Sequence, residues 1–247
     1  MRLFLVVFAA MLPAIAAAAE CTARSRPTVT PVVELYTSEG CSSCPPADRW
    51  LSQLAPEAAA GRVVPLGFHV DYWDYIGWRD PFASKRATER QRQIQSTAGA
   101  RYVYTPQVVV GGRDFRAWHS SAVPALAAIG SKPATASIEL VVKADPARGI
   151  EVTSTTKVPG AAKDVAVFVA ATQDGLSSRV TAGENRGERL AHDFVVRDFA
   201  VHRGAGEARS SFKAAQDWNL AHMSVAAFVQ DARTGEILQA VACRIRQ

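Results

Sequence analysis

Beyond its first 19 residues the chain has no hydrophobic run of the roughly 20 residues that a membrane-spanning helix requires, so no stable membrane insertion is expected of the remainder. It also lacks a basic stripe. Twenty-eight Lys and Arg against 23 Asp and Glu leave a formal net charge of +5, but the basic residues are dispersed along the chain. A nucleic-acid footprint needs them gathered on one face, so no nucleic-acid partner is expected. There is no internal repeat and no long low-complexity segment. Three of the five histidines, His192, His202 and His222, are scattered through the second half without cysteines at ligand spacing. No metal site and no chemistry are assigned to them. Cysteine is scarce too, with four in 247 residues.

The one long apolar stretch lies at the start. Arg2, the run Leu3 to Ala16 and the small residues Ala17-Ala18-Ala19 have the order of an export signal, which predicts removal of residues 1–19 and a mature chain beginning at Glu20. Cys21 follows closely, but Glu20 stands where a lipidated cysteine would have a small neighbour, so no lipoprotein is expected. An exported chain, periplasmic or secreted, meets oxidising conditions in which all four cysteines can pair. Cys41 and Cys44 form a Cys-x-x-Cys pair that can close a small, exchange-prone ring. Four cysteines permit three connectivities, between which sequence does not choose; pairing Cys41 with Cys44 leaves Cys21 and Cys243, near the two ends of the mature chain, for the structural disulfide expected here.

Apolar periodicity divides the chain near residue 132. Strand-like runs at 30–37, 62–70 and 107–110 alternate with helical spacing at 47–60, 81–98 and 121–129, and Asp114 to Trp118 can pair back as a hairpin. From residue 133 onward seven short strand-like runs are separated by turn-rich stretches: 135–143, 149–158, 164–172, 190–196, 210–214, 223–230 and 237–244. The fold class expected is an α/β thioredoxin-like domain over residues 20–132 followed by an all-β sandwich-like domain over residues 133–247.

The thioredoxin element of that expectation rests on a dithiol after the first strand together with Thr105-Pro106 before the strand at 107–110, where that fold has a cis-proline facing the dithiol. The resemblance becomes specific in the run Val33-Glu34-Leu35-Tyr36-Thr37-Ser38-Glu39-Gly40-Cys41-Ser42-Ser43-Cys44-Pro45-Pro46-Ala47-Asp48, then in His69-Val70-Asp71-Tyr72-Trp73-Asp74, Gly77-Trp78, Tyr104-Thr105-Pro106-Gln107 and Ala182-Gly183-Glu184-Asn185-Arg186-Gly187. These resemble the exported bacterial family catalogued as domain of unknown function 1223. The resemblance implies a thioredoxin-like fold and an exported protein, and no established substrate.

The residues suggest these roles. Cys41, expected to be the more exposed thiol, is the nucleophile and Cys44 resolves the mixed disulfide. Pro45 and Pro46 disfavour helical backbone in the residues before them, which predicts a helix starting only at Pro46 and weak help from its N-terminus. Glu34 is either a buried acid serving Cys44 or a surface-facing strand residue. Glu39 reads as a solvated turn residue and His69 as a strand histidine. Tyr72 and Trp73, with Thr105, either line a groove for a partner chain or cover the sheet. Three functions remain open: a thiol-disulfide oxidoreductase acting on protein thiols or disulfides without a cofactor, a soft-metal (copper) handling protein using the same two thiolates, and a non-catalytic binding module.

Overall fold

The computed structural model describes residues 19–160 and 164–246. Residues 1–18, and with them nearly all of the expected export signal, lie outside the described residues. Ala19 already opens a strand. The first half contains β1 (Ala19–Arg24), β2 (Val32–Thr37), α1 (Pro45–Ser52), α2 (Ala55–Ala59), β3 (Val64–His69), α3 (Lys85–Thr97), β4 (Gln107–Val110), β5 (Arg113–Asp114) and α4 (Trp118–Gly130). The second half contains β6 (Ser137–Asp145), β7 (Gly149–Lys157), β8 (Val165–Gln173), β9 (Leu176–Arg179), β10 (Arg189–His192), β11 (Val195–Arg203), β12 (Glu207–Phe212), β13 (Met223–Asp231) and β14 (Ile237–Arg244).

Local chemistry sets the boundaries. The helical spacing over 47–60 is split into α1 and α2 because Pro56 has no N–H to give and its ring crowds the carbonyl of Ser52, where α1 ends. Helix α3 starts at Lys85 rather than near Pro81 because extended Ser84 caps it, its hydroxyl accepting the Ala87 N–H at 3.1 Å. Helix α1 begins at Pro45, one residue earlier than expected, with Cys44 as its N-cap.

The strands do not sort as the expected fold class requires. One eight-stranded sheet runs β14-β13-β8-β11-β3-β2-β4-β5, so strands of the second half continue the sheet of the first. A four-stranded sheet, β1-β6-β7-β12, likewise takes its edge strand from the N-terminal segment. The chain is therefore mostly β, and the α/β thioredoxin-like domain followed by an all-β sandwich-like domain is not what it forms. The physical reason is visible in β8 and β13. Both are buried almost continuously rather than on alternate residues, as strands covered on two faces must be. A sandwich strand would alternate, as β6 does.

Three apolar clusters fill the layers. One lies between the two larger sheets, one beneath α3 on the opposite face of the large sheet, and one beneath α1 and α4. The Cys21–Cys243 disulfide ties β1 of the smaller sheet to β14 at the edge of the larger. Arg90 of α3 reaches across the large sheet. It grips Glu34 of β2 with two hydrogen bonds of 2.9 and 3.0 Å, donates to Gln230 of β13 at 2.9 Å, and lies 4.1 Å over the Phe168 ring of β8.

Candidate functional site

Strand β2 delivers the chain into a tight turn from Ser38 to Cys44. Gly40 donates its N–H to the Ser38 hydroxyl, Cys41 donates to the Ser38 carbonyl and Cys44 to the Cys41 carbonyl. Cys41 and Cys44 are joined in a disulfide with their Cα atoms 5.4 Å apart. Neither sulfur residue is open to solvent: Cys41 is 1% exposed and Cys44 0%. Cys41, expected to be the more exposed thiol, is enclosed almost as fully as Cys44, and it is Ser42 and Ser43 that face water. At Gly40 the packing is close: a Cβ would lie 3.1 Å from the Trp73 Cβ and 3.2 Å from Ile76, so any larger residue has to push these neighbours by a few tenths of an ångström.

Trp73 straps the turn to the other conspicuous feature. Packed against Gly40, it donates its indole N–H to the Thr105 hydroxyl at 2.7 Å. The Thr105-Pro106 peptide is cis. β4 then pairs antiparallel with β2, Gln107 opposite Tyr36. Pro106 lines an open groove of 380 Å3 with Tyr102, Tyr104, Val108, Arg116 and Trp118. Tyr72 is half-buried against the α3-side core, its hydroxyl enclosed without a partner. Trp73 thus holds Thr105, and Tyr72 covers the sheet. A larger cavity, 470 Å3, opens beside Cys21 and Cys243 instead.

Behind the turn lies a buried acid–imidazole network. Glu39 is not solvated but fully enclosed. Its carboxylate accepts from the Trp78 indole at 2.9 Å, the Ser178 hydroxyl and His192 Nε2 at 3.0 Å. Its backbone N–H goes to Asp80, which also holds His69 Nδ1 at 2.7 Å. The two imidazoles meet edge to face at 4.7 Å, with Phe82 against both. Asp48, on the first turn of α1, lies 3.9 Å from His192 Nδ1, a buried nitrogen with no hydrogen-bond partner. A cavity of 140 Å3 lined by Asp48, Arg49, Arg189 and His192 opens at this point.

Burial raises the Asp48 pKa above the usual carboxylate value, with His192 and His69 only partly offsetting it. Burial likewise works against a charged His69, but the Asp80 carboxylate, with Asp48 and Glu39 beyond it, outweighs that cost and holds His69 above 6.5. Asp80 is pulled below 3.8: burial opposes its charge, while His69 and the N–H groups of Glu39 and Phe82 favour it more. A raised histidine stabilises the fold below its unfolded pKa and loses that contribution as pH rises through the folded value. His69→Gln is therefore expected to cost more stability at pH 6 than at pH 9. The gap is about 1.4 kcal/mol for each unit by which the folded pKa exceeds 6.5, once the higher pH lies above that folded value. Urea unfolding of both proteins at the two pH values measures it, and equal costs would remove the charged pair.

The fourth component comes from far along the chain. β9 and β10 form a separate two-stranded hairpin, whose tip lies against the turn. Glu184 accepts the Ser42 N–H at 2.9 Å. Asn185 donates its side-chain amide to the carbonyls of Glu39 at 2.8 Å and Cys41 at 3.0 Å. Gly183, with φ +74°, packs against Ile76, where a Cβ would come within 3.0 Å.

The turn, the aromatic segment at 69–78, Thr105-Pro106 and this hairpin tip all lie within residues 32–230, the span matched by the family model described as protein of unknown function, DUF1223. The chain belongs to the DUF1223 family. It is similar to the crystal structure of protein AGR_C_4864 from Agrobacterium tumefaciens, with 27% identity and a TM-score of 0.64 over 88% of this chain and 95% of that one. It is also similar in fold to HBP35 of Porphyromonas gingivalis, at 17% identity and a TM-score of 0.67 over 90% of this chain and 76% of the other. No curated protein matches the chain.

In this DUF1223 chain Trp73 links the Cys41–Cys44 turn, through Gly40, to Thr105, and Pro106 immediately precedes β4. Glu34 is buried rather than surface-facing, and both its oxygens are taken by Arg90 and by the Tyr36 hydroxyl at 2.8 Å. Asp48, Asp80, Glu39, His192 and Asn185 carried no local signal strong enough to mark them, although Glu39 and Asp48 sit in the 33–48 block and Glu184 and Asn185 in the 182–187 block singled out by the family resemblance. Among the described residues no cluster of three or more His, Cys, Asp or Glu side chains is arranged to hold a metal ion.

Proposed function

We propose that this DUF1223 protein is a thiol-disulfide exchange protein of an extracytoplasmic compartment, with Cys41 and Cys44 as the reacting pair. The observation that carries the reading is the buried network of Glu39, Asp48, His69, Asp80 and His192 directly behind the disulfide. A disulfide that merely pins a turn has no use for two imidazoles and three carboxylates at that depth. Exchange does have a use for them, because each reduction of the pair places two protons that a buried site must take up or release. Two disulfides formed by all four cysteines suit an oxidising compartment.

The step is a thiolate attack on Cys41 Sγ by a protein thiol. The Cys41–Cys44 bond breaks and Cys44 leaves as a thiolate. Attack of a second partner thiolate, or the return attack of Cys44, then resolves the mixed disulfide in one direction or the other. Asp48 follows Cys44 by one helical turn, its N–H bonded to the Cys44 carbonyl at 3.1 Å. Its raised pKa suits a group that exchanges a proton with Cys44. His192 Nδ1 and the adjoining cavity continue the route outward.

Equilibration of the purified protein in graded glutathione buffers, with thiol trapping and mass analysis, tests this. The expected result is a reversible two-electron transition between about −120 and −270 mV that is absent from Cys41→Ser. A bond still closed below about −300 mV is a structural brace and overturns the reading.

A further inference from the structure

The enclosed state of the disulfide leads one step further, on the premise that the pair exchanges. We infer that the β9–β10 hairpin tip is a displaceable cover that holds the Cys41–Cys44 bond out of reach, with Glu184 and Asn185 as its latch. The tip belongs to neither large sheet, and at the turn it makes three polar contacts: the Glu184 carboxylate on the Ser42 N–H, and the Asn185 amide on the carbonyls of Glu39 and Cys41. All three are made to backbone groups of the turn itself, flanking the reacting sulfur.

The cover is built to lift. Glu184 is exposed, so its contact can be exchanged for water at little cost, whereas Asn185 is buried and anchors the closed position. Gly183 and Gly187, both at positive φ, bracket the two latch residues. Once the tip is lifted, the Ser42 N–H becomes a free donor beside Cys41, while the Cys41 carbonyl keeps the Cys44 N–H and loses only its Asn185 donor. A backbone carbonyl of an extended polypeptide bearing the attacking thiol can accept from that N–H. The tip therefore occupies, in the closed state, the backbone donor that a protein substrate uses in the open one. A partner has to displace the latch before its thiolate reaches Cys41.

The test reads access without requiring that the pair be redox-active. Tris(hydroxypropyl)phosphine is uncharged, so the charge of Glu184 does not steer it. Its phosphorus attacks one sulfur, the S–S bond breaks and the other cysteine leaves as a thiolate. Water then hydrolyses the phosphonium to phosphine oxide, which carries off the oxidation and leaves two thiols. The rate of appearance of those thiols at Cys41 and Cys44 is followed by alkylation and mass analysis for the wild type, Glu184→Ala and Asn185→Ala. Hydrogen exchange at the Ser42 amide is measured alongside.

Asn185→Ala is expected to be reduced about ten-fold faster or more and Glu184→Ala about three-fold faster, both with faster exchange at Ser42 and Glu184→Ala with an unchanged unfolding midpoint. Rates within two-fold of wild type in both variants overturn the cover. So does an acceleration of Glu184→Ala matched by a fall in overall stability, because access then comes from global unfolding. Glu184→Ala, at an exposed position, keeps the test informative if Asn185→Ala does not fold. A phosphine opens a brace as readily as an active pair, so unmoved rates sink the cover alone. A glutathione potential in the structural range sinks the exchange reading alone.

Discussion

Arg90→Met is expected to destabilise the protein by about 3–5 kcal/mol, read as a shift in the urea unfolding midpoint at constant slope. The Glu34 and Arg90 side chains are 0% and 2% exposed, and their two hydrogen bonds compensate the cost of taking both charges out of water. Removing the guanidinium leaves the Glu34 carboxylate with the Tyr36 hydroxyl alone. It also takes the donor from Gln230 Oε1 and the cation from the face of Phe168. The damage comes from the stranded charge more than from the lost attraction. Adding Glu34→Gln should therefore recover a large part of it, since glutamine can still accept from Tyr36 and carries no charge. A cost below about 1 kcal/mol for Arg90→Met alone would mean that water reaches Glu34 in solution.

The second large effect is expected at the inter-sheet disulfide. Cys21→Ala combined with Cys243→Ala opens a loop with a sequence separation of 222 residues. In the chain-entropy model a loop of that length contributes about 5 kcal/mol, and strain or residual structure in the unfolded chain lowers the realised value to about 3–5 kcal/mol. β1 still pairs with β6 in the variant, Cys21 opposite Val142, so the four-stranded sheet keeps its order while its tether to β14 is lost. Unfolding in urea under oxidising conditions, with Cys41–Cys44 left closed, gives the loss. The potential of the Cys41–Cys44 pair should not move, because the two disulfides share no element of the site. A change in that potential would show the two bonds to be coupled.

These outcomes depend on contacts of very different sequence range, and that range separates what was legible in the chain from what was not. The runs around Val32–Thr37 and Gln107–Val110 announce strands because their apolar and β-branched residues recur at strand spacing, a property of neighbours. Gln107–Val110 and Ile237–Arg244 have the boundaries expected of them. The stretch at 190–196 was expected as one strand, but it breaks into β10 and β11 around Phe194, which has φ +58° and ends one strand before the next begins. The dithiol turn was legible for the same local reason, since its two cysteines, the strand before it and the helix after it lie within one short segment.

Which sheet a strand joins is not a local property. β8 and β13 carry the composition of any buried strand. Only the packing of α3 on one face and of the smaller sheet on the other makes them interior members of a sheet shared with β2 and β4. The chemistry around the disulfide is equally non-local. Glu39 and His192 lie 153 positions apart, and Cys41 and Asn185 lie 144 apart. As isolated letters, Glu39 looks like a turn residue and His192 like a strand histidine. Their meaning comes from desolvation: once the fold places them beside Asp48, His69 and Asp80 away from water, each can satisfy its charge or hydrogen-bonding groups only through the others. Periodicity and spacing thus decide the elements and the Cys41–Cys44 pair. Burial, which exists only in the folded chain, decides that the pair is covered and backed by two imidazoles and three carboxylates.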